Sequence, residues 1–119
     1  MATSKEAVLE FLRNFKEVMT SGKRGLDIIP REENNHTIIE LGLTRKNIEE
    51  VVLGLTVLDY CSGPEKDHTK PGVIWEFGKN IMRHEIYIKL KLAKIGDEKI
   101  AKCISFHKAN RKIEYPLRK

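Results

Sequence analysis

Three side chains in the second half of the chain carry the groups that RNA strand scission needs when no metal takes part. They are the carboxylate of Glu76, the phenol of Tyr87 and the imidazole of His107. In that reaction a base removes the 2′-hydroxyl proton and an acid protonates the leaving 5′-oxygen, while cations stabilise the charge that builds on the phosphate. Glu76 suits the base and His107 the acid. Tyr87 suits a hydrogen bond to the phosphate or a platform on which a nucleobase stacks. Lys89, Lys91 and Lys108, with Lys102 nearby, are candidate RNA contacts, and Lys66 and Lys70 precede Glu76 in the chain. The same residue types also have plainer uses. A Glu beside a Lys on a sheet surface is an ion pair of small worth, a His at a strand end is commonly solvated, and a Tyr can simply cover the sheet.

Alternation of apolar and polar residues places the three groups on strands. Residues 73–79 alternate Val73, Trp75 and Phe77 with Ile74, Glu76 and Gly78. Residues 84–94 put Ile86, Ile88, Leu90 and Leu92 on one face, and Glu85, Tyr87, Lys89 and Lys91 on the other. Residues 99–107 put Ile100, Ile104 and Phe106 opposite Ala101, Cys103, Ser105 and His107, with Lys102 interrupting the apolar set. If residues 80–83 form a four-residue hairpin loop, Lys79 faces His84 and Glu76 faces Tyr87. If residues 95–99 form a five-residue loop around Gly96 and Asp97, Lys94 faces Ile100 and Tyr87 faces His107. A one-residue slip in the second pairing would turn Phe106 to the polar face. The expected result is a row of Glu76, Tyr87 and His107 across three adjacent strands, about 5 Å between neighbours.

The first half of the chain supplies what covers the other face. Thr3 and Glu6 form a capping-box pattern ahead of an apolar stripe of Val8, Phe11, Leu12, Phe15, Val18 and Met19, with Gly22 as a stop. Leu26, Ile28 and Ile29 before Pro30 read as a short edge strand, residues 31–41 as a short helix closed by Gly42, and Thr44 as the cap of a helix with Ile48, Val51, Val52 and Leu55 inward. Residues 60–72 lose the pattern and read as a long loop. Helices followed by a run of strands predict an α+β fold: N-terminal helices packed on a mainly antiparallel sheet of three to four strands. At 119 residues the chain is expected to be a single domain, 1–119.

Charge is unevenly spread. Residues 1–78 carry 10 basic and 13 acidic residues, whereas residues 79–119 carry 12 basic and 4 acidic, a net +8 that points to a polyanionic partner. Two cysteines, Cys61 and Cys103, without a CxxC exclude a disulfide framework or a four-cysteine zinc site. No metal and no cofactor is expected. Near Asp67 and His68 no third convincing ligand stands, and the phosphate-binding and hydrolase motifs are missing. No apolar run reaches the ~20 residues of a membrane span, and the first residues lack the apolar region of a signal peptide, so a soluble cytoplasmic protein is expected.

The stretch from Leu41 to Ala109 resembles the MqsR-type (motility quorum-sensing regulator) toxins, a branch of the RelE-like mRNA interferases. The matching residues are Leu41-Gly42-Leu43, Val52-Leu53-Gly54-Leu55 with Asp59-Tyr60, Asp67-His68, Ile74-Trp75-Glu76, Glu85 through Leu90, and Ile104-Ser105-Phe106-His107. The resemblance implies a RelE-like fold and a toxin of a bacterial type II toxin–antitoxin pair, cleaving mRNA without a metal and neutralised by a cognate antitoxin protein. The family's strand tyrosine falls on Tyr87. Its basic residue after Ser-Phe, a lysine in the best-studied member, falls on His107, and its glutamine after Ile-Trp falls on Glu76. A loop lysine of the family corresponds to Lys66 or Lys70. The basic face would equally serve a non-catalytic RNA-binding module or a domain that meets an acidic protein.

Overall fold

The computed structural model describes residues 3–118. Three helices, α1 (Lys5–Ser21), α2 (Glu32–Glu40) and α3 (Arg45–Leu53), accompany five strands: β1 (Leu26–Ile28), β2 (Tyr60–Lys66), β3 (Val73–Ile81), β4 (His84–Ile95) and β5 (Glu98–Lys108). The fold is α+β. The sheet runs β1-β5-β4-β3-β2, with β1 parallel to β5 and every other pair antiparallel.

Helix α1 buries Val8, Phe11, Leu12, Phe15 and Met19 along one stripe. Phe11 stacks on Trp75 at 4.8 Å between ring centroids. Beneath lie Phe77, Ile86, Ile88, Leu90 and Phe106, all fully buried. Burial of this kind contributes about 1.5–3 kcal/mol per large side chain. It also leaves the opposite sheet face free for polar groups. The cap of α1 is Ser4, whose side chain accepts from the Ala7 N–H, and not Thr3. Thr3 is used elsewhere: its hydroxyl donates to the Gly63 carbonyl at 2.7 Å. Thr44 caps α3 as its sequence position suggests, in a reciprocal pair with Asn47.

Three expectations about the sheet need correction. The stretch 60–72 is a loop only from Asp67 to Gly72; Tyr60–Lys66 is the outer strand β2, which makes the count five. Gly63, Pro64 and two register shifts masked its alternation, features that an edge position tolerates. Tyr60 pins it, with its ring edge-on to Trp75 and Phe77.

The β3–β4 hairpin turns on two residues, Met82 and Arg83, rather than four. Both have positive φ, +51° and +70°, as a tight primed hairpin turn requires, and neither belongs to the Asn-Gly type that announces one. The shift moves Glu76 opposite Lys89 and places Gly78 opposite Tyr87.

The third correction concerns β5. Its hairpin with β4 also turns on two residues, Gly96 and Asp97, so Lys94 faces Lys99 and Leu90 faces Cys103. Beside Ile104 a bulge inserts one residue, after which Lys89 faces Ser105 and Tyr87 faces His107. Ala101 and Cys103 therefore join Phe106 in the core cluster, while Ile104 is only half-buried. The expected pairing of Tyr87 with His107 holds, but by a different route: the bulge restores the register in which Phe106 faces inward.

Candidate active site

Glu76 on β3, Tyr87 on β4 and His107 on β5 lie on the sheet face away from α1 and line one cleft of about 340 Å³. The Tyr87 and His107 rings sit 5.6 Å apart, centroid to centroid, as directly paired residues. Glu76 stands diagonal to Tyr87, a separation long side chains still span, and the phenol donates a hydrogen bond to its carboxylate. Lys89 faces Glu76 across the hairpin, with its ammonium 5.6 Å from the Tyr87 ring centroid. Burial, and then the hydrogen bond to Glu76 and its charge, push the Tyr87 phenol well above its usual range. The phenol thus stays protonated and serves as a donor. Burial, reinforced by the charges of Glu76 and Glu85, raises the neighbouring Cys61 thiol to about 12. A neutral thiol is a poor nucleophile.

The His107 ring is fixed by its own strand. Nδ1 lies 3.0 Å from the Lys108 carbonyl oxygen. A carbonyl oxygen only accepts, so this contact assigns a proton to Nδ1 and leaves Nε2 as the exchanging atom. Nε2 lies 3.9 Å from the Glu33 carboxylate of α2. His107 therefore stands between the Glu76–Tyr87 cleft and a second groove bordered by Glu33, His36 and Asn110.

What holds His107 in place came from residues that no motif marks. β1 ends at Ile28, leaving the outer edge of β5 without a strand beyond Cys103. Helix α2 takes over with two buried polar side chains one turn apart. Asn34 accepts from the Phe106 N–H at 2.9 Å and donates to the carbonyls of Ile104 at 3.0 Å and Ile29 at 2.9 Å. Thr37 Oγ1 accepts from the Lys108 N–H at 3.1 Å. These bonds satisfy the bulge and the backbone on both sides of His107. The available signal was an amphipathic mismatch: Asn34 and Thr37 occupy the inward face of a helix whose apolar stripe is weak.

The candidate lysines divide. Lys89 borders the site. Lys91 is 4 % exposed and its ammonium is held by Asp67 at 2.6 Å, beneath the loop of residues 67–72. Lys108 is paired with Glu40 at 2.6 Å. Lys66 and Lys70 are exposed, but Lys66 directly precedes that same loop and Lys70 lies within it. The loop covers Lys91, four positions along β4 from Tyr87, roughly 13 Å at strand spacing. The structure does not bring them to the cleft.

The segment after β5, residues 109–118, carried no expectation and lies across the site. Arg111, Lys112 and Ile113 line the cleft together with Glu76, Tyr87 and His107. Among the described residues no cluster of three metal-ligating side chains occurs, and no helix is long and apolar enough to cross a membrane. The chain matches no family model, no curated protein and no solved structure.

Proposed function

We propose that this protein is a metal-independent endoribonuclease that cleaves mRNA in the cytoplasm, the toxin of a type II toxin–antitoxin pair held in check by a protein antitoxin. The observation that carries the reading is the meeting of Glu76, Tyr87 and His107 in one cleft that Arg111 and Lys112 also line. The resemblance to the MqsR-type toxins leads independently to the same three positions. In the proposed reaction the phosphate takes over the hydrogen bond that the Tyr87 phenol gives to Glu76. The freed carboxylate accepts the 2′-hydroxyl proton, and the oxygen attacks phosphorus. His107 donates its Nε2 proton to the departing 5′-oxygen, leaving a 2′,3′-cyclic phosphate. The protonated phenol and Lys89 stabilise the charge on the phosphoryl oxygens.

The test is incubation of the purified protein with mRNA in EDTA. Cleavage with cyclic-phosphate ends is the expected result. RNA binding without cleavage would overturn catalysis in favour of a non-catalytic RNA-binding module. Association with an acidic protein and none with RNA would make it a protein-interaction domain.

A further inference from the structure

Residues 109–118 form a strap that is anchored on both sides of two exposed cations, Arg111 and Lys112. At its start, the Ala109 N–H donates to the Glu85 carbonyl at 2.9 Å, continuing the sheet pairing by one bond. The chain then crosses β4 and β3 on the cleft side. The Glu85 carboxylate receives it twice: Oε1 accepts from the Ile113 N–H at 2.9 Å, and Oε2 from the Tyr115 hydroxyl at 3.0 Å. Gly78 is the floor of the crossing. A methyl group at Gly78 would lie 2.5 Å from the Tyr115 hydroxyl oxygen and 2.7 Å from Ile113 Cδ1, so the strap rests where only a glycine leaves room. At the far end Arg118 stacks on the Tyr115 ring at 3.7 Å and binds the Leu58 carbonyl at 2.7 Å and Asp59 at 3.3 Å.

Between these anchors, Arg111 and Lys112 are exposed and line the cleft. Neither forms an ion pair among the described residues, whereas Lys79, Lys91 and Lys108 each do. We propose that Arg111 and Lys112 are the cations that hold the phosphodiester of a single-stranded RNA in this cleft, with Gly78, Glu85 and Tyr115 as the positioning residues that hold the strap. The proposal rests on reading the cleft as an RNA site and names the groups that bind the substrate. A guanidinium and an ammonium on adjacent residues suit consecutive phosphate oxygens, the first through its planar fork and the second as a point charge. Glu114, on the same rim, opposes them and tempers the attraction.

The test uses the full chain and a 2′-O-methyl oligoribonucleotide, which can bind but not be cleaved, with fluorescence anisotropy read over a range of salt. Replacing both Arg111 and Lys112 with Ala should weaken binding at least ~10-fold at moderate salt. It should also lower the slope of log affinity against log salt by about 1.4, since each lost single-strand phosphate contact contributes ~0.7. Glu114→Gln should tighten binding. Gly78→Ala should lift the strap, weaken binding with both cations intact, and open the Arg111 and Lys112 bonds to trypsin. If Gly78→Ala does not fold, Tyr115→Phe, which removes one of the two bonds to the Glu85 carboxylate, gives a milder form of the same two changes. Unchanged affinity and slope in the double variant would overturn the proposal, as would no binding by the wild type. A wild type that binds the oligonucleotide but leaves mRNA intact, with the double variant binding more weakly, would sink the catalytic reading and support the cation assignment. A double variant that binds and cleaves like the wild type would sink the cation assignment alone.

Discussion

The two ends of the polar sheet face are covered in opposite ways. At one end the loop of residues 67–72 closes over Lys91 and gives it Asp67 as a partner at 2.6 Å, so that charge is spent internally. The loop is itself tightened by Asp67, which accepts from the N–H groups of Thr69 and Lys70. At the other end the strap of residues 109–118 is tied down through Glu85 and Gly78, and it holds Arg111 and Lys112 over a cleft with no ion-pair partner among the described residues. Both ends carry basic side chains, Lys66, Lys70 and Lys91 at the first and Arg111, Lys112 and Arg118 at the second. The contrast teaches that a lysine's position on a strand says which face it occupies, whereas its availability to a ligand depends on whether an acid has been folded onto it.

The largest effect should come at the open end. His107→Ala removes the proposed proton donor and should lower RNA cleavage ~10²–10⁴-fold, with His107→Gln nearly as damaging. His107→Lys keeps a cation and should retain more activity than the glutamine variant. Cleavage rates in EDTA, with folding verified by circular dichroism, decide this, and equal rates for wild type and His107→Gln would refute the assigned role.

Next is the support behind His107. Asn34→Ala orphans the Phe106 N–H and the Ile104 carbonyl in a buried place, where each such group costs about 1–3 kcal/mol. Urea denaturation should show the loss. Cleavage by the folded fraction should fall as well, because the bulge that sets Tyr87 opposite His107 has lost its clasp. Full activity per folded molecule would reduce Asn34 to a purely structural residue.

The closed end should respond to pH instead. The Lys91 ammonium, chiefly through its hydrogen bond, with help from Thr69 and Lys70, holds the Asp67 carboxyl below its ordinary range. A depressed folded value means that the unfolded chain binds the proton first as pH falls. The pair's contribution is therefore complete at neutral pH. It begins to fade as pH drops into the ordinary carboxylate range near ~4, and it is lost as pH passes the lowered folded value. Asp67→Asn should flatten this acid limb in a plot of melting temperature against pH. It should leave the salt dependence of RNA binding untouched if Lys91 plays no part there. A steeper salt slope in Asp67→Asn would show that freeing Lys91 recruits it.

The smallest effect belongs to the turn that sets the β3–β4 register. Met82 and Arg83 adopt left-handed backbone conformations, which cost an ordinary residue roughly 1–2 kcal/mol. Met82→Asn with Arg83→Gly should raise stability by about 1 kcal/mol in urea denaturation, with RNA cleavage unchanged. A loss of stability would mean that the native side chains hold the turn by contacts stronger than this strain.

Much of the frame was readable from residue order alone. The stripe from Val8 to Met19, the cap at Thr44 and the alternation around Tyr87 follow from periodicities of 3.6 and 2, which act over a few residues and depend only on which side chains avoid water. The need to keep Phe106 inside excluded a one-residue slip, but Tyr87 came opposite His107 only through an assumed five-residue loop, where the chain uses a two-residue turn and a bulge that were not legible. Glu76 was placed two positions off, because a Met-Arg turn carries no glycine or asparagine to betray its length. β2 was missed because an edge strand needs pairing on only one side and tolerates Gly63 and Pro64.

Residue order by itself determined the fold class, the inward and outward faces of β4, and the concentration of positive charge in the last third of the chain. Tertiary structure alone decided that Asn34 and Thr37 complete the edge of β5, that Asp67 consumes Lys91, and that the strap carries Arg111 and Lys112 to the cleft. The physical reason is range. Burial patterns are written in neighbouring residues, but a hydrogen bond or ion pair joins groups that are here 24 to 72 positions apart, and nothing local records which distant partner will satisfy a polar group.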